Sequence, residues 1–265
     1  MAQYLLPVLY TVFVWWFATG VILYLDGLPR WTFKWTMLGA SFLLALALLG
    51  LFVTAKDTRI TGAYLAFTCA ILVWAWQEVA FLLGYVTGPR RTICPPNARG
   101  WRRTGFALQA VLHHELALVV LGLAVTAATW GGANQTGFWT FMVLWVMRQS
   151  AKLNVFLGAR NLNEAFLPNH LKYLQSYFRR RAMNPLLPVS VAVSSAIAWV
   201  IWQAAVAEGV GRFEATSLTF AACLLSLAVL EHLFLVLPLP SEALWSWGLR
   251  SRATAPAKGF ETRPL

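Results

Sequence analysis

The residues best suited to chemistry are histidines and carboxylates set inside apolar runs. His113, His114 and Glu115 stand in the stretch Leu108–Leu118, which otherwise reads as membrane-spanning. Glu78, Glu231 and His232 lie in similar surroundings, and Arg148 and Lys152 add two cations four residues apart. An ionisable group at such depth costs roughly 2.5–3.5 kcal/mol on insertion scales, so each needs a partner or a ligand. Imidazole and carboxylate together suit a transition metal. Imidazole alone can ligate the metal of a tetrapyrrole or bond a carbonyl. Carboxylates can equally pair with Arg148 and Lys152, which share a helix face.

The elements that must position these groups follow from composition. The 265 residues are 59% hydrophobic and 12% charged, against about 25% charged in soluble domains. An integral membrane protein is expected. Seven apolar runs are long enough to cross roughly 30 Å of hydrocarbon: 5–25, 35–54, 61–86, 104–129, 136–158, 187–207 and 216–237. Only helices satisfy the backbone of such segments in lipid. Turn and charge signals separate them, at Asp26-Gly-Leu-Pro29, Lys56–Arg59, Gly88–Arg91, Gly131-Gly132 and Gly209–Gly211. The expectation is an all-α, polytopic, seven-helix domain over residues 1–247 and a flexible cytoplasmic tail over 248–265.

Charge sets the orientation. With the N-terminus outside, the inner segments hold 17 Lys and Arg and the outer loops hold three, Lys56, Arg59 and Arg212. That asymmetry predicts a periplasmic N-terminus and a cytoplasmic C-terminus. It also accounts for the net charge of +11 without nucleic acid, since no basic patch lies outside the orienting loops. Fourteen Trp suit interfacial belts or an aromatic cavity. The three Cys suggest neither a disulfide framework nor a metal clip. Residues 87–103 read as a rigid basic loop. Residues 159–186 mix Leu171, Leu174 and Tyr177 with Lys172 and Arg179–Arg181, the pattern of a short interfacial helix.

Counted from the span ends, Glu78, His114, Glu115, Arg148, Lys152, Glu231 and His232 all fall in the inner half of the membrane. Asn154 shares that half, and Asn163, Glu164 and His170 follow just below it. The expected pocket is Glu78, His114, Glu115, Glu231 and His232, with His113, Arg148, Lys152, Asn154, Asn163, Glu164 and His170 around it. Three uses stay open: an ion-pair network ordering the bundle, a metal site, or a pocket for a pigment or quinone. The Glu-x-x-His spacing of bundle di-iron sites is missing. Neighbours such as Glu231 and His232 point about 100° apart on a helix. No P-loop, Rossmann glycine pattern or HExxH occurs, and the pattern leans away from an enzyme.

Several blocks, taken in order, resemble one family. They are Thr87-Gly-Pro-Arg-Arg with Cys94-Pro-Pro and His114-Glu115-Leu; Ala151–Gly158 with Phe166-Leu-Pro168, Ser176-Tyr-Phe-Arg179, Met183-Asn184 and Pro188–Val191; and Leu230-Glu-His-Leu with Val236–Pro240 and Leu244–Trp247. From about Trp15 to Trp247 the chain resembles PuhE, a photosynthetic complex assembly protein of anoxygenic phototrophs. The resemblance implies assembly of the reaction centre and light-harvesting complexes, or control of bacteriochlorophyll supply to them. It implies as partners the reaction-centre or light-harvesting subunits and other assembly factors, besides the lipid bilayer. A bacteriochlorophyll-type pigment is the cofactor it favours, ahead of a non-haem metal. The alternative is a metal-dependent membrane oxidoreductase or hydroxylase of the bacteriochlorophyll or quinone pathway.

Overall fold

A computed structural model describes residues 2–253, and among them the fold is all-helical. Seven long helices run in chain order: α1 Ala2–Asp26, α2 Phe33–Thr54, α3 Ile60–Leu82, α4 Gly100–Thr129, α5 Thr136–Leu157, α6 Leu186–Ala205 and α7 Arg212–Phe234. A short α8, Ser246–Ala253, follows. Among the described residues six helices are long and apolar enough to cross a membrane: α1, α2, α3, α4, α6 and α7. The exception is α5, whose second half carries Arg148, Gln149, Lys152 and Asn154. It nevertheless packs against α3, α4 and α7, so its polar half is shielded by neighbours.

The third helix is the hub. One of its faces joins α2, α4 and α5 in a core of Ala47, Leu51, Ala66, Cys69, Ala70, Val73, Leu121, Val125 and Phe141. Another joins α7 through Ala63, Phe67, Ile71, Phe220 and Leu224, with Tyr10 and Val14 of α1 packed against them. Phe67 and Phe220 stack with ring centroids 4.4 Å apart.

The third helix stops at Leu82, before the 86 expected from hydropathy. Gly84 takes φ +85°, a conformation glycine adopts without a Cβ penalty. The chain then turns back along α4. Gly88 lies so close that a Cβ there would stand 2.1 Å from the Gln109 carbonyl oxygen. One residue earlier, the Thr87 carbonyl accepts the amide of His114 at 2.9 Å. Irregular backbone is tolerated at such depth only where it is buried in protein, and Thr87 and Gly88 are buried. The interfacial helix expected within 159–186 is a 3-10 segment, Asn169–Tyr177, with Leu171, Leu174 and Tyr177 inward.

The C-terminal segment is ordered further than expected. Trp245 Nε1 donates to the Trp16 carbonyl at 2.9 Å, and Trp16 Nε1 to the Leu244 carbonyl at 2.8 Å. The Trp247 ring lies on Gly20, where an added Cβ would meet it at 2.0 Å. Arg252 grips Asp26 with two bonds of 2.8 Å and donates to the Phe166 carbonyl at 2.9 Å. The first six residues of the supposed flexible tail, 248–253, therefore belong to α8 and are tied to α1. The rest of that tail, 254–265, lies outside the described residues.

Candidate functional site: a divided polar layer around α5

The polar residues of α5 fall on two faces. Arg148 and Lys152 are four apart and share one face, with Gln149 beside them; Ser150 and Asn154 share the opposite one. Each face gathers different partners.

On the charged face, Arg148 Nη2 donates to Glu78 Oε2 of α3 at 2.8 Å. Lys152 Nζ donates to Glu115 Oε1 of α4 at 2.6 Å, and Gln149 Nε2 to Glu115 Oε2 at 2.6 Å. Three helices are thus joined by two ion pairs. Glu231 of α7 makes no direct ion pair among the described residues; its Oε1 accepts from Trp15 Nε1 of α1 at 2.6 Å. The charges of Arg148 and Glu78 nevertheless act on it. Two features leave this face open. The Arg148 side chain is 41% exposed although its partner Glu78 is only 10% exposed. Glu231 is exposed as well.

On the neutral face, His232 Nδ1 donates to the Ala228 carbonyl at 2.8 Å, so its Nε2 accepts from Ser150 Oγ at 2.9 Å. Asn154 Nδ2 donates to the Ser150 carbonyl at 2.9 Å and to Ser190 Oγ of α6 at 3.2 Å. Asn184 Nδ2 reaches the Asn154 side-chain oxygen at 3.1 Å and the Gly158 carbonyl at 2.8 Å. Asn184 Oδ1 accepts from the amides of Leu186 and Leu187, which starts α6. Asn154, Asn184 and His232 are each at most 2% exposed. Neighbouring in sequence, Glu231 and His232 thus serve different networks, as their angular separation requires.

His114 belongs to neither set of bonds. Its ring lies 4.5 Å from that of Phe81, and the charges of Lys152 and Arg148 act on it. It is 1% exposed, and neither ring nitrogen has a hydrogen-bond partner among the described residues. Gln77, 0% exposed, is in the same condition at both side-chain atoms. Phe81 touches His114, while Ala70 and Val73 share a core with Leu121 and Val125. Gln77 lies one turn from Phe81 on the same face of α3, so it falls in the same α3–α4 seam. At 1% exposure the His114 ring offers no open approach to a tetrapyrrole face.

The remaining expected residues lie apart. His113 is exposed on the outer face of α4. His170 Nε2 donates to the Leu82 carbonyl at 2.8 Å and so fastens the 3-10 segment to the end of α3. Burial holds the His170 imidazole below its ordinary range. Asn163 and Glu164 line a separate polar cavity of about 500 Å³ with Arg160, Arg180, Ser241 and Glu242. There Arg180 pairs with Glu164 at 2.8 Å. Among the described residues no three His, Cys, Asp or Glu side chains are grouped to hold a metal ion. The donor set around α5 does not fit one, because Glu78 and Glu115 are engaged by cations.

Sequence reasoning placed Trp15 among the aromatic residues able to line the pocket and missed Gln77, Gln149, Ser150 and Asn184. Gln77 of α3 carries no spacing signal, and only packing selects it. Ser150 and Asn184 had a usable signal, being polar residues at helical spacing from Asn154 or immediately before a helix.

Comparison with known proteins fixes the relationship. Residues 1–256 match the family described as "Protein of unknown function (DUF3623)". The chain belongs to this family. It is also 40% identical over 252 residues to an "Uncharacterized 30.4 kDa protein in puhA 5'region" of Rhodobacter capsulatus, covering 93% of this chain and 91% of that one. No solved structure matches the chain.

Proposed function

We propose that the protein is a seven-span inner-membrane assembly factor for photosynthetic complexes, and that the open charged face of α5 receives its partner. In this reading α5 is the fifth span, the N-terminus is periplasmic and α8 lies on the cytoplasmic side. The relative from the puhA 5' region and the resemblance to PuhE support the setting.

The observation that carries the reading is the exposure of Arg148, 41% of its side chain, beside exposed Glu231. A network serving only to order the bundle would enclose its charges, because an uncovered guanidinium among lipid chains is costly. A polar group from outside must cover it. A carboxylate or carbonyl suits Arg148, whose guanidinium is engaged by Glu78 only through Nη2 and whose Nε is buried without a partner among the described residues. A carbonyl substituent of a bacteriochlorophyll or a polar side chain of a transmembrane subunit supplies such a group. His114 would stiffen the neighbouring seam and would not ligate pigment.

The test is performed in a phototrophic host. Chromosomal Arg148→Met and Glu231→Gln are compared with wild type for the near-infrared absorbance of reaction-centre and light-harvesting complexes per cell. The reading expects a several-fold loss in Arg148→Met with the protein still present in the membrane. Unchanged complex levels in both variants would refute it. Stoichiometric iron or zinc in the purified protein would favour the metal-dependent oxidoreductase instead.

A further inference from the structure

Inside the bundle, Arg148 and Lys152 each have a carboxylate. At the end where α4 begins and α5 ends, five arginines gather around Tyr177 without one. Arg90 Nε donates to Tyr177 Oη at 2.8 Å, and its guanidinium carbon lies 4.4 Å from the Phe106 ring centroid. Arg102 stands 5.9 Å from the same ring. Arg103 lies 4.0 Å from the Phe156 ring centroid and donates to the carbonyls of Phe156 and Tyr177. Arg179 and Arg181 follow Tyr177 in the chain, and their charges act on Arg103. Among the described residues the ion pairs use other cations: Arg59, Arg148, Lys152, Arg180 and Arg252.

Arg103 decides what this means. It is 7% exposed, and a buried charge requires compensation. The Phe156 carbonyl at the end of α5 and the Tyr177 carbonyl at the end of the 3-10 segment accept from it, and a helix end contributes only about half a unit of negative charge. The charges of Arg179 and Arg181 oppose even that. The first turn of α4, starting at Gly100, carries no acidic residue. Arginines that merely oriented the chain would stand free in solvent; Arg90 and Arg103 are clamped by rings and backbone. Arg103 supplies a fixed buried charge, while half-buried Arg90 and exposed Arg102 and Arg181 present guanidinium groups that match the oxygens of phosphate. The surface beside them is apolar and accessible, with Trp101 89% and Ile93 64% exposed. A tryptophan at a helix start is the usual mark of the headgroup level.

We propose that the Arg90–Arg102–Arg103 cluster, completed by Arg179 and Arg181, is a specific site for the phosphate headgroup of an anionic lipid. The lipid tail would lie against Trp101 and Ile93. The site is distinct from the intramembrane network and does not depend on the role proposed for it.

The test is native mass spectrometry of the full chain, delipidated in detergent and titrated with cardiolipin, phosphatidylglycerol or phosphatidylcholine. Arg102→Gln/Arg181→Gln is the variant of choice, because both side chains are exposed and neither is a hydrogen-bond donor on which packing depends. Arg103→Gln is kept as a second variant, read only if it retains the wild-type melting temperature. The expected result is at least ten-fold tighter binding of an anionic lipid than of phosphatidylcholine. The double variant should weaken that binding roughly thirty-fold, since each of the two cations near the surface contributes about 1 kcal/mol. Equal binding of phosphatidylcholine, or an unaffected double variant, would overturn the proposal. So would displacement of the lipid by inorganic phosphate at equal concentration, or by an acidic peptide.

Discussion

The two faces of α5 use polar residues for opposite ends. The neutral face, with Ser150, Asn154 and their partners Asn184 and His232, is closed. Its atoms find partners within α5, α6, α7 and the turn before α6, and nothing outside can reach them. The charged face also finds internal partners in Glu78 and Glu115, yet Arg148 and Glu231 remain accessible. A closed polar network fixes one packing, because half-satisfied polar groups are heavily penalised. An open one leaves donors for something else. The same helix thus serves as scaffold on one side and as a receiving surface on the other.

Breaking the closed side should cost most. Asn184→Ala removes donors to Asn154 and Gly158 and the acceptor that starts α6. The loss should be about 3 kcal/mol, given the usual cost of orphaned buried groups. A melting temperature reduced by many degrees in detergent is expected; a shift within error would contradict the closed-scaffold account. On the open side, Glu78→Leu should cost less, roughly 2 kcal/mol, because half-exposed Arg148 keeps access to other polar groups. Adding Arg148→Met should recover most of that stability. Non-recovery in this double-mutant cycle would mean that the pair does more than balance charge.

The smallest effect concerns pH and lies away from α5. Burial disfavours the charged form of His170 in the folded protein. Its folded pKa is therefore lowered, and the unfolded chain binds a proton that the folded chain refuses. The stability this contributes is present above the unfolded value of about 6.5 and is lost as pH falls through and below it. Wild type should therefore lose more stability than His170→Gln between about pH 7 and 5. Parallel pH profiles would show that burial does not lower the His170 pKa in the folded protein.

Much of the fold is visible in the sequence as apolar runs, because lipid demands continuous hydrophobic helices. The end of α3 is not visible. Leu83, Tyr85 and Val86 are apolar enough to extend a span, and only the left-handed turn at Gly84 reveals the stop. Hydropathy also gives depth without direction. Depth placed Glu78, Glu115, Arg148, Lys152, Glu231 and His232 in one layer, whereas azimuth around α5 and α7 divides them. The four-residue spacing of Arg148 and Lys152 was the one directional clue, and those two side chains do meet carboxylates of α3 and α4. Asn163 and Glu164 lie close to the layer along the chain, but the turn at Asn163, φ 51°, carries them into the separate polar cavity.

The receiving role of the open face is tested most directly by what accompanies the protein. Wild type and Arg148→Met would be affinity-purified from phototrophically grown cells, with melting temperature confirming the fold of each. Near-infrared absorbance and mass spectrometry of photosynthetic-complex subunits would then be recorded. The account predicts bacteriochlorophyll or those subunits with wild type and at least a five-fold loss with folded Arg148→Met. Equal content in the two preparations, or none with wild type, would contradict it.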